Sequence, residues 1–98
     1  MLVLHDEFKE KLIQITNLSK KINENHKEKI FEMINEHIQE IQELYNENNE
    51  HWAVETADLI VLCYELMISE SINIDLIFSK ALPRFDKKLT KLSEGVDL

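Results

Sequence analysis

The chain has 98 residues and a formal net charge of −8, from 11 Lys and Arg against 19 Asp and Glu. A surface this acidic argues against a nucleic-acid polymer or an anionic membrane as the main partner. With one Gly and one Pro in the whole sequence, the turn chemistry of an all-β or Rossmann-type fold is missing, and so is any Gly-rich phosphate loop.

Hydrophobic residues make up 44% of the chain, enough for one small core. A single domain over residues 1–98 is expected. The lone cysteine, Cys63, has no disulfide partner, and its apolar run Leu59-Ile60-Val61-Leu62 reads as core. The apolar stretch at Met1–Leu4 is too short for a signal peptide. No window reaches the roughly 20 apolar residues of a membrane span. A soluble cytoplasmic protein is the expectation.

Four helices are predicted in chain order. The first runs from Asp6, read as its cap, to Ile22, with Phe8, Leu12, Ile15, Leu18 and Ile22 along one face. The second runs from His26 to Tyr45, with Asn25 as cap. Its buried stripe is Ile30, Met33 or Ile34, His37 or Ile38, Ile41, and Leu44 or Tyr45. The third, from about Glu50 to Ser69, is apolar nearly all round and is expected to be central. Asn73 is placed to cap the fourth, from Ile74 to Leu92, whose face holds Leu76, Ile77, Ala81, Leu82, Phe85, Leu89 and Leu92. Pro83 is expected to kink or break it, and Gly95 to stop it. The fold class is therefore all-α, a four-helix bundle.

Most of the acids belong on solvated helix faces. Glu55 and Asp58 do not, because they stand three apart on the most apolar helix. Unpaired carboxylates in such surroundings cost several kcal/mol, roughly, and repel each other. No Lys or Arg occurs between Lys29 and Lys80, so no local basic partner is available along this part of the second helix or on the third. The remaining escapes are a raised pKa or a bound cation. The second helix offers Glu36, His37 and Glu40, with His37 and Glu40 at the same i, i+3 spacing. In an antiparallel hairpin the two pairs face each other, and hard oxygen ligands describe Mg²⁺ or Mn²⁺. An ordinary acidic surface is the competing reading.

Glu36-His37-Ile38-Gln39-Glu40-Ile41, fourteen residues, and then Glu55-Thr56-Ala57-Asp58-Leu59 resembles the signature of the MazG-like all-α nucleoside triphosphate pyrophosphohydrolases. Their pattern is Glu-Glu-x-x-Glu, a spacer, then Glu-x-x-Asp. The resemblance covers roughly residues 30–92, with Lys80 to Leu89 similar to the family's basic last helix. It implies metal-dependent cleavage of a nucleoside triphosphate between its α and β phosphates, giving monophosphate and pyrophosphate. It implies metal ligation by Glu36, His37, Glu40, Glu55 and Asp58, and a homodimer or homotetramer.

His37 departs from the pattern, which has Glu there. Either His37 is a ligand, or Glu36 takes its place, or the domain is a catalytically silent relative. Glu36 or Glu40 is the candidate base. Lys80 and Arg84, at i, i+4, are the candidates for contact with substrate phosphates, against the reading of a solvated basic face. Tyr45 and Trp52 are read as core, and His5, His26 and His51 as surface. A small acidic helical regulator that binds a basic protein is the remaining alternative.

Overall fold

The computed structural model describes residues 5–95. The expected run at Met1–Leu4 lies outside them. Four α-helices follow one another: α1 (Asp6–Ile22), α2 (His26–Asn46), α3 (Trp52–Ser69) and α4 (Ile74–Ser93). The fold is all-α, with α3 packed against α1 and α2 and more lightly against α4. No helix among the described residues is long and apolar enough to cross a membrane.

Two buried layers meet on α3. In one, Tyr64 is the hub. Its ring meets Phe8 of α1 edge-on at 6.2 Å and Phe78 of α4 at 6.1 Å, beside buried Leu12 and Ile74. Edge-to-face pairs of this kind add to the burial itself. In the other, Ile30 of α2 and Leu62 of α3 are buried. An ion pair between Lys9 and Asp75 ties the start of α1 to the start of α4, and Lys27 and Glu70 pair at 2.5 Å.

Several expectations need correction. On α1 the docked face is Leu12 and Thr16, while Phe8, Leu18 and Ile22 are exposed. Thr16 tolerates burial because its hydroxyl donates to the Leu12 carbonyl at 2.8 Å. The residue flanking α1 is His5, not Asp6, and neither it nor Asn25 caps through its side chain. Asn73 does cap α4, its Oδ1 accepting from the Leu76 amide at 3.1 Å. Gly95 follows α4 at φ +77°, the left-handed conformation that suits glycine after a helix end.

Two differences concern the apolar helices. α4 is not broken: it runs through Pro83 as one helix to Ser93. A proline there deletes one amide donor, the one that would have bonded the Ser79 carbonyl, without ending the helix. Its apolar stripe is docked only at Ile74, Phe78 and Ala81. From Leu82 to Gly95 every residue except Lys91 is exposed. α3 is central, as expected, but its first half is covered on one side only, leaving Ala53, Val54, Ala57 and Ile60 exposed. Cys63 is on the surface rather than in the core, although partial burial pushes its thiol above the usual range. The radius of gyration, 16.2 Å, exceeds the roughly 13 Å of a compact chain of about 100 residues, as these uncovered stripes require.

Candidate metal centre

The site is built by the α2–α3 hairpin. The chain reverses through residues 47–51, where Asn48 takes a left-handed φ of 58°, a conformation Asn tolerates better than most residues. The Asn49 side chain accepts from the His51 amide at 3.0 Å. The helices then run antiparallel, with Tyr45 and Trp52 stacked edge-on at 5.5 Å beside the turn. Two turns further from the loop, His37 of α2 comes opposite Glu55 and Asp58 of α3. These three residues each present a ligand atom, all within 4.8 Å of one another.

The orientation of His37 is fixed by its own helix. Nδ1 lies 2.8 Å from the Met33 carbonyl. A carbonyl only accepts, so Nδ1 carries the proton. In the neutral ring Nε2 is then a lone pair. It faces Glu55 Oε2 at 3.3 Å and Asp58 Oδ2 at 3.9 Å. A lone pair turned toward two carboxylates is repulsive unless a proton or a cation stands between them. Glu55 is well enclosed, its side chain 15% exposed, whereas that of Asp58 is 55% exposed and opens the site to solvent. One imidazole and two carboxylates, with room for water on one side, fit Mn²⁺ well and Mg²⁺ acceptably. The backbone carbonyl on Nδ1–H is the usual support of a ligating histidine.

Glu40 lies one turn along α2 from Glu36. Its carboxyl hydrogen-bonds Glu55, and that bond, with partial burial and the nearby Glu55 charge, holds it above the usual carboxylate range. Glu36 is exposed and acts on Glu40 only through its charge. Of the expected ligands, the structure gathers His37, Glu55 and Asp58 tightly, keeps Glu40 in contact with Glu55, and leaves Glu36 at the rim. Lys80 and Arg84 are exposed on α4, and among the described residues neither has a hydrogen bond or ion pair to the cluster. Arg84 instead lines a shallow basic surface with Phe85, Lys87, Lys88 and Lys91.

Three side chains differ from their sequence reading. Tyr45 and Trp52 are 62% and 36% exposed, a surface pair rather than core. His26 is half-buried, and its Nε2 is enclosed without a hydrogen-bond partner. His51 is on the surface, as expected, with its Nε2 3.3 Å from Glu55 Oε1. Its i, i+4 spacing from Glu55 was the available signal, obscured because position 51 falls in the turn.

No protein-family model, curated protein or solved structure matches the chain.

Proposed function

We propose that this protein is a metal-dependent nucleoside triphosphate pyrophosphohydrolase, cleaving between the α and β phosphates in the cytoplasm. The observation that carries the reading is the convergence of His37 Nε2, Glu55 and Asp58 on one point, in a stretch that has no Lys or Arg between Lys29 and Lys80. A divalent cation bound there supplies neutralisation of the phosphates and a lowered pKa for attacking water.

The protein's own residues would divide the work as follows. His37, Glu55 and Asp58 would hold the cation, with Glu40 available beside Glu55 to complete the set. Glu36 or Glu40, one turn apart on α2, takes the proton of the attacking water. The open side at Asp58 admits the phosphate chain. Lys80 and Arg84 serve the substrate only where α4 of this or a second copy is brought to the hairpin.

A homodimer or homotetramer belongs to the same reading. Its support is the row Phe31, Ile38 and Tyr45 on α2, exposed at 50%, 43% and 62% and spaced by seven residues. An exposed stripe of that period suits a facing helix.

The test is pyrophosphate release from a panel of nucleoside triphosphates with Mg²⁺ and Mn²⁺. Turnover lost in Asp58→Asn supports the reading. Restoring the resembling family's residue with His37→Glu should shift preference from Mn²⁺ toward Mg²⁺, because it replaces the softer ligand by a hard one. Metal binding without turnover on any nucleotide would instead favour a silent helical module. Neither binding nor turnover would favour an acidic regulator.

A further inference from the structure

Glu55 is flanked by two imidazoles, one on each oxygen. His37 Nε2 lies 3.3 Å from Oε2, and His51 Nε2 lies 3.3 Å from Oε1. The two rings are not equivalent. The Met33 carbonyl claims the proton of His37 at Nδ1, which leaves Nε2 as an acceptor. Among the described residues no carbonyl is hydrogen-bonded to the ring of His51, so its neutral ring can place the hydrogen on Nε2 and donate it to the carboxylate.

The turn also fixes where His51 stands. Its amide donates to Asn49 Oδ1 at 3.0 Å. Its carbonyl accepts from the Val54 and Glu55 amides at 3.0 and 3.2 Å. Position 51 is thus held at both ends of its peptide, one helical turn from Glu55.

We infer that His51 is a positioning residue of the metal centre: its Nε2–H holds Oε1 of Glu55, so that Oε2 stays turned toward His37 and Asp58. This rests on the metal reading above. An i, i+4 pair on an open helix face would contribute little. Here the carboxylate is mostly enclosed, and its second oxygen already belongs to the cluster. What His51 removes is the rotation of the Glu55 carboxylate, a freedom that would otherwise be lost on binding the ion. Outer partners of this kind alter metal affinity by roughly 10- to 100-fold when deleted. Because His51 is exposed and lies in the turn, its loss leaves both buried layers untouched.

The experiment compares wild type, His51→Ala and His51→Gln by Mn²⁺ titration followed by electron paramagnetic resonance. Folding of each is checked by circular dichroism in EDTA. His51→Ala should bind Mn²⁺ about 10-fold more weakly or worse. His51→Gln, whose side-chain amide can donate to the same oxygen, should recover most of that loss. Long-range ¹H–¹⁵N spectra of the metal-free wild type, at about pH 8 where free imidazole is neutral, give a second readout that a purely structural role would not produce. They should show His51 with its proton on Nε2 and His37 with its proton on Nδ1. Unchanged Mn²⁺ affinity in His51→Ala, or a His51 ring protonated on Nδ1, overturns the positioning role while leaving the metal centre standing. A wild type that binds no Mn²⁺ overturns the metal centre, and the positioning role with it.

Discussion

Replacing Asp58 by Asn separates a metal centre from an internal ion pair by the sign of two effects. Asp58 faces His37 Nε2 at 3.9 Å, with its side chain 55% exposed. Without metal, solvent screens it, and the substitution should change stability by less than about 1 kcal/mol in either direction. With metal, the variant loses one of the three gathered ligands. Wild type at about 100 times its dissociation constant should gain roughly 2.7 kcal/mol from mass action. For a domain of this size that corresponds to a rise in Tm of about 11–22 °C. The assay is thermal unfolding in EDTA and in saturating Mn²⁺, for both proteins. Wild type should show the full increment and Asp58→Asn only a small part of it, at similar Tm in EDTA. If His37 is instead protonated and simply paired with the two carboxylates, wild type will show no increment, and Asp58→Asn will be the less stable protein in EDTA. That pattern, or an Asp58→Asn protein with the full increment, refutes the reasoning.

Other consequences are tested independently. Glu65, only 3% exposed, is pushed above its ordinary 4.5 by burial, against a smaller opposing effect of its hydrogen bond with Ser19. The folded state therefore holds this proton more tightly than the unfolded chain. Its contribution to stability is fully present below the unfolded value and is lost as pH rises through the folded one. Glu65→Gln should stabilise the protein at neutral pH relative to wild type, with the advantage shrinking toward about pH 4; denaturant midpoints across that range measure it. Leu12→Ala, at a position 2% exposed beneath Tyr64, should cost about 3 kcal/mol, visible as a lower urea midpoint with an unchanged helical spectrum at low temperature.

The sequence made the helices legible because three of them carry strong apolar periodicity and sparse turn signals between them. The ends of α1 and the start of α4 fall where the spacing of Phe8 to Ile22 and the position of Asn73 put them. The rotation of each helix was harder to read. On α1, Ile15 and Leu18 fit a helical face as well as Thr16 does, and only docking against α3 selects Leu12 and Thr16. On α4, Leu82, Phe85, Leu89 and Leu92 continue the stripe of Ile74 and Phe78 without a break, yet a single chain offers them no surface. Periodicity records which side is apolar; it does not record whether the cover comes from the same chain. The site was readable as a pair of i, i+3 patterns without nearby cations. The roles of its members were not, since the Met33 carbonyl that sets the tautomer of His37 leaves no mark in composition or spacing.

Every member of the cluster, from Glu36 to Asp58, lies within one hairpin. Hairpins of adjacent helices close short loops and form early and quickly, on the order of microseconds to milliseconds. During synthesis the ligands would be out and paired before α4 exists, and a cation would meet them while the remainder of the chain is still emerging. The acidic rung across α2 and α3 is then a point of weakness in the nascent hairpin until it is neutralised, and the order of events becomes open to measurement. Refolding rates should rise with Mn²⁺ if the ion joins the hairpin before the transition state. Only unfolding should slow if it arrives afterwards.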